Sequence, residues 1–72
     1  MDISVMDEKQ IEIMDKVVAG IVKAGYDPYE QLTGYLETGE EVYITRTDNA
    51  RELIKQVNSA EVRRYRDTRL HR

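Results

Sequence analysis

Seventy-two residues with fourteen Asp/Glu, eleven Lys/Arg and no cysteine make one domain at most and exclude a disulfide framework. A core below ~70–80 residues rarely supplies more than ~3–5 kcal/mol, so small proteins add disulfides, a metal or a partner. The one histidine, His71, has no thiolate to join it, which leaves zinc without a ligand set and a symmetric homodimer as the expected support.

The chain opens on Met1-Asp2-Ile3-Ser4-Val5-Met6-Asp7. This stretch is acidic and lacks the basic start and apolar run of a signal peptide. No later run approaches the ~20 apolar residues of a membrane span. With no cysteine to call for an oxidising compartment, a cytoplasmic protein without membrane insertion is expected. Residues 1–6 are read as a flexible N-terminus.

A first helix is predicted from Asp7, because Asp7 and Gln10 have capping-box spacing and Met6 can staple onto Ile11. Ser4 is a competing cap whose staple would pair Ile3 with Glu8, a poorer match. Ile11, Met14, Val17, Val18, Ile21 and Val22 then form one apolar stripe. Glu8, Glu12, Asp15 and Lys16 lie mostly off it, and Gly25 marks the stop. Asp27 as N-cap, Pro28 at the first helical position and Glu30 two residues later start a second helix. It turns Leu32, Tyr35 and Leu36 inward and ends near Thr38-Gly39. The corner at Gly25 to Asp27 makes the two helices an αα-hairpin or a helix-turn-helix-like corner.

Glu41-Val42-Tyr43-Ile44-Thr45 has strand composition and alternation. One such segment has nothing to pair with in this chain, so it is an extended connector or pairs with its copy across a dimer axis. A third helix begins within Thr47-Asp48-Asn49, with Asn49 and Glu52 at capping-box spacing and Ala50, Leu53, Ile54 and Val57 buried. Asn58-Ser59 interrupts it, and Ser59 caps a last short helix through Val62 and Tyr65. Fraying is expected past Arg66, giving a basic tail at 67–72. The fold class is all-α, a small three- to four-helix domain spanning 1–72.

The charge is uneven. Residues 1–61 hold six Lys/Arg and thirteen Asp/Glu, a net −7, whereas residues 62–72 hold five arginines and Asp67, a net +4. An acidic body with a basic end attracts a second copy, an acidic partner or nucleic acid; the plainer account is cations complementing a helix dipole.

No catalytic constellation emerges. His71 has no nucleophile placed near it, and the glycines at 20, 25, 34 and 39 form no phosphate-cradling pattern. The Glu8, Glu12 and Asp15 row reads as a solvated face, and Glu40-Glu41 lacks metal-site spacing. Neither an enzyme nor a cofactor is expected. Tyr26, Tyr29, Tyr35 and Tyr43 gather around the central turn, either as half-buried core residues or as an interface. Arg46, Arg51 and Lys55 form the basic patch of the acidic body. They are paired surface charge, or a docking site for an acidic partner or a phosphate.

Gly25-Tyr26-Asp27-Pro28-Tyr29-Glu30-Gln31-Leu32-Thr33-Gly34-Tyr35-Leu36-Glu37-Thr38-Gly39 resembles the segment G-Y-N-P-x-x-Q-I-V-G-Y-x-x-S-G of the IreB family. The likeness continues through Tyr43-Ile44-x-Arg46 and Ala50-Arg51-x-x-Ile54-Lys55 and covers roughly residues 23–57. These are small regulatory phosphoproteins of Gram-positive bacteria. The resemblance implies an all-helical homodimer without catalytic activity. It also implies a substrate of transmembrane Ser/Thr kinases with extracellular PASTA domains, opposed by a phosphatase. Through other proteins it would influence cell-wall synthesis, in part by controlling proteolysis of the enzyme that commits precursors to peptidoglycan. Family arginines important for that function align with Arg46, Arg51 and, as a lysine, Lys55, which makes these three the expected partner-binding residues.

The sequence departs from the family at both ends. Family members carry phosphorylated threonines in the N-terminal arm, whereas Ser4 is the one hydroxyl before the first helix here and the candidate phosphoacceptor. The family's acidic, leucine-rich C-terminal helix is replaced by Ser59 to Arg72, and a fourth family arginine becomes Ser59. The expected function is therefore a regulatory adaptor in kinase-controlled cell-envelope signalling. The alternative is a small helix-turn-helix-like nucleic-acid binder that sets Arg63-Arg64-Tyr65-Arg66 on phosphates, against which the acidic composition counts.

Overall fold

The structure, a computed structural model, describes residues 8–70. Four helices, α1 Glu8–Lys23, α2 Pro28–Thr38, α3 Ala50–Ile54 and α4 Ser59–Arg69, are joined by 3-10 turns at Glu41–Tyr43 and Thr47–Asn49. There is no strand among the described residues, so the chain is the all-α domain its patterning predicts. The cap at Asp7, the staple from Met6, the flexible stretch 1–6 and His71 lie outside the described residues.

α1 buries Met14, Val17 and Ile21 completely, with Ile11 and Val18 packed at the edges. Val22, expected on the stripe, is 57% exposed. It lies four residues past Val18, which is itself at the margin, so the row leaves the core there. Gly20 is buried instead, because the segment before α3 crosses α1 at that point. A Cβ on Gly20 would stand 2.8 Å from the Thr47 carbonyl oxygen.

α1 ends as the glycine predicts. Gly25 adopts φ +88°, its N–H donates to the Val22 carbonyl at 2.9 Å, and the Tyr26 N–H donates to Ile21 at 3.1 Å. That pair of bonds is a Schellman motif, which satisfies carbonyls the helix end would leave orphaned. The Asp27 carboxylate then accepts the Tyr29 N–H at 2.9 Å, capping α2 with Pro28 at its first position. Gly39 closes α2 at φ +75°. Leu32 is fully buried, and Tyr35 and Leu36 pack against the core.

The connector differs from its strand reading. Glu41–Tyr43 forms a 3-10 turn, and Ile44 after it is extended, at φ −107° and ψ 134°. Alternation here reports one anchor rather than a pleat: Ile44 is fully buried while Val42 is 63% exposed. The third helix starts where expected, but its cap does not form. Asp48 and Asn49 both take left-handed φ, at 51° and 62°, and the Asn49 side chain caps nothing. After glycine, Asn and Asp are the residues that visit this region at least cost. α3 is a turn and a half, and it buries Ala50 and Ile54, with Val57 just beyond it.

α4 is capped by Asn58, one residue before the predicted Ser59; its side chain accepts the Glu61 N–H at 3.0 Å. It does not fray at Arg66 but runs to Arg69, with Leu70 packed on the core. The tail expected at 67–72 is thus helical as far as Arg69. Val62 and Tyr65 are its buried residues. In the assembled domain α1 packs chiefly on α3 and its preceding turn, and α2 on α4.

Candidate functional site

The basic patch is built around the connector between α2 and α3. Ile44 anchors that connector in the core, and polar side chains from both flanking helices hold its backbone. From α2, the Gln31 Oε1 accepts the Thr45 N–H at 2.9 Å. From α3, the Arg51 Nε donates to the Ile44 carbonyl at 3.0 Å, and its Nη2 reaches the Val42 carbonyl at 3.5 Å. Just past α3, the Lys55 ammonium meets Glu41 at 3.0 Å and Glu52 at 3.3 Å. Hydrogen bonds first to Glu41 and then to Glu52 raise the Lys55 pKa above the ordinary lysine value. Within the loop the Thr45 hydroxyl donates to the Thr47 hydroxyl at 3.0 Å and accepts the Thr47 N–H at 3.2 Å.

The three expected partner-binding residues therefore stand in different situations. Arg51 is half-buried and turned onto backbone. Lys55 is outside but ion-paired. Arg46 is exposed and makes no ion pair among the described residues. Arg46 and Arg51 share a cleft of about 340 Å³ with Tyr26, Gln31 and Val42, which Lys55 does not line. Ser4 lies outside the described residues.

The tyrosines divide. Tyr26 and Tyr43 are 57% and 48% exposed, whereas Tyr29 and Tyr35 are half-buried. The buried tyrosine is Tyr65, outside the expected cluster, whose hydroxyl donates to the Asp15 carboxylate. Tyr29 and Thr33 receive Arg66: its guanidinium lies 5.0 Å from the Tyr29 ring centroid and donates to the Thr33 hydroxyl at 3.0 Å. Sequence reading passed over Gln31 as a connector clasp and Arg66 as the link between α4 and α2. Gln31 carried a signal, since it is one of the fixed letters of the motif quoted above, while Arg66 looked like one more tail cation.

Among the described residues no three His, Cys, Asp or Glu come together to hold a metal ion, and no helix is long and apolar enough to cross a membrane. What the geometry offers is a connector clasped by Gln31 and Arg51, with the exposed Arg46 on it. The family model for IreB regulatory phosphoproteins matches residues 2–64. That is nearly the whole chain, from before α1 through the first half of α4, and well beyond the segment around the central turn. The chain belongs to the IreB family of regulatory phosphoproteins.

Proposed function

We propose that this protein is a non-enzymatic regulatory adaptor, a homodimer in the cytoplasm, that acts in cell-envelope signalling by binding other proteins. In this reading it is phosphorylated by a transmembrane PASTA-type Ser/Thr kinase, dephosphorylated by the opposing phosphatase, and modulates peptidoglycan synthesis through a regulator of proteolysis or of the cell wall. The observation that carries it is the family match over residues 2–64, a span that takes in Ser4, Arg46, Arg51 and Lys55 together.

Ser4 is the proposed phosphoacceptor. Kinases take hydroxyls from extended, accessible segments, and the threonine hydroxyls of the folded body are engaged. Thr38 and Thr68 donate to helix carbonyls at 2.8 and 2.7 Å, Thr33 accepts from Arg66, and Thr45 and Thr47 bond each other. Ser59 is the other exposed candidate, at the first position of α4. A phosphate before α1 would also meet the favourable end of the helix dipole.

The test is incubation of the purified chain with a PASTA-kinase catalytic domain and ATP, followed by phosphopeptide mapping. Modification lost in Ser4→Ala is the expected result. Modification confined to Ser59, Thr45 or Thr47 relocates the switch, and none at all removes the kinase from the proposal. Sedimentation equilibrium should return about twice the 8.4 kDa chain mass; a clean monomer at micromolar concentration overturns the dimer.

A further inference from the structure

Arg51 faces the wrong way for a docking cation. Its Nε and Nη2 point at two carbonyls of the connector, those of Ile44 and Val42. The planar guanidinium fork is suited to holding two acceptors at once in fixed geometry. Gln31 holds the next amide along, that of Thr45, and Lys55 holds the Glu41 side chain at the start of the same segment. With Ile44 fully buried, the connector is fixed on its inner side from one end to the other.

Three groups stay outside. Val42 is 63% exposed and Tyr26 57% exposed. The exposed Arg46 makes no ion pair among the described residues. All three line the cleft of about 340 Å³ that Arg51 and Gln31 close from within. Large apolar side chains held outward beside an exposed cation are complementary to an apolar side chain next to a carboxylate.

We propose that Arg46, Val42 and Tyr26 are the contact residues of the partner-binding surface and that Arg51 is a positioning residue that holds the connector carrying Val42 and Arg46. The occupant is an acidic segment of another protein with apolar side chains between its carboxylates. This rests on the reading of the basic patch as partner-binding. It changes what each cation does: Arg46 touches the partner, and Arg51 acts through the backbone of Val42 and Ile44.

The experiment pairs a binding measurement with one that needs no ligand. Fluorescence anisotropy of a labelled peptide of Glu-Glu-Leu repeats, with its Lys-Lys-Leu counterpart as control, reads binding to the full chain. Amide hydrogen exchange at Ile44 and Thr45, whose N–H groups donate to Glu41 and Gln31, reads the connector. The wild type should bind the acidic peptide and not the basic one. Arg46→Ala and Val42→Ser should each weaken binding about tenfold without changing exchange. Arg51→Lys, which keeps the charge but not the fork, should weaken binding as much and speed exchange at both amides at least tenfold.

Unchanged exchange in Arg51→Lys overturns the positioning role whatever the binding does. Accelerated exchange with wild-type affinity shows that the connector's fixed form is not what the partner reads, and overturns it too. If the peptide binds but none of the substitutions weakens it, the basic patch itself is not the partner surface. Binding of the basic peptide, or of neither, overturns the proposed partner chemistry. Conversion of the chain to monomer by Val42→Ser and Arg46→Ala, seen in sedimentation equilibrium, assigns the surface to a second copy instead.

Discussion

Replacing Gly20 with alanine sets two effects of opposite sign against each other. In an isolated helix the change is favourable, since glycine costs ~0.8–1.0 kcal/mol relative to alanine in a helix interior. In this protein the new Cβ would stand 2.8 Å from the Thr47 carbonyl oxygen and 3.4 Å from the Ala50 Cβ. The close atom is backbone, so no side chain can swing aside. The segment that would have to retreat holds Asp48 and Asn49 in left-handed φ and carries the Lys23–Asp48 ion pair at 3.5 Å. Overpacking typically costs ~1–3 kcal/mol, and a backbone clash at the α1–α3 contact belongs in the upper part of that range. The net effect of Gly20→Ala is then a loss of about 1–2 kcal/mol. For a domain of this size each kcal/mol moves the thermal midpoint by about 4–8 °C, so the melt should fall by roughly 5–15 °C. Circular dichroism melts of wild type and variant measure it directly. A midpoint that rises would mean that helix propensity outweighs the contact and that the turn before α3 does not press on α1 at Thr47.

Three further perturbations probe other joints. Gly34→Ala is the matched contrast: its Cβ would approach the Tyr43 ring at 3.1 Å, but that ring is half-exposed and can yield, so stability should stay within about 1 kcal/mol of wild type; a loss as large as that of Gly20→Ala would show Tyr43 fixed in place. Asp27→Ala removes the acceptor for the Tyr29 N–H and should cost ~1 kcal/mol; an unchanged melting midpoint would mean α2 does not depend on this cap. Burial, and after it the bond to Asp15, pushes the Tyr65 hydroxyl well above the ordinary tyrosine value of 10.0. The unfolded chain releases that proton near the ordinary value and the folded chain does not, so stability is whole below about pH 10 and declines as pH rises above it. Denaturant midpoints between pH 9 and 11 should show this decline, and Tyr65→Phe should flatten it; an equally steep decline in the variant would assign it to other groups.

How far the fold was legible follows from the range of the interactions that decide each element. The Asp27 cap bonds the N–H two residues on and the Gly25 and Gly39 stops act within one helical turn, so local letters sufficed. The Asn58 cap was displaced by one residue because Asn58 and Ser59 are both good caps, and the choice depends on where the chain leaves Val57. The extended connector holds at Ile44, but the turn at Glu41–Tyr43 was not legible, because Val42-Tyr43-Ile44-Thr45 is β-branched and aromatic and carries no turn residue. What sets its form lies elsewhere in the chain: Gln31 is fourteen residues from the amide it holds, and Arg51 seven from its carbonyl. The patch of Arg46, Arg51 and Lys55 was legible as a set of cations. The direction each one faces was not, because it depends on carbonyls and carboxylates that only the folded connector supplies.

The C-terminal arginines illustrate the same limit from the side of charge. Read as a run, Arg63-Arg64-Tyr65-Arg66 is a block of cations with an aromatic among them, suited to phosphates. Wound into α4, the run is divided by the helical period, which places Val62, Tyr65, Arg66 and Arg69 at the three- and four-residue steps of one face. Tyr65 on that face is 4% exposed, and the Arg66 side chain is 14% exposed. Arg66 lies over the Tyr29 ring and bonds Thr33 of α2 and its neighbour Asp67, and Arg69 lies over the Tyr65 ring at 5.9 Å. Arg66 would have to leave α2 to meet a phosphate, which sets the loss of a desolvated stacking and hydrogen-bonding site against an exposed, salt-screened contact. The positive end of the chain is thus partly consumed in joining α4 to an acidic body, and this is why a net +4 segment need not act as a nucleic-acid tail.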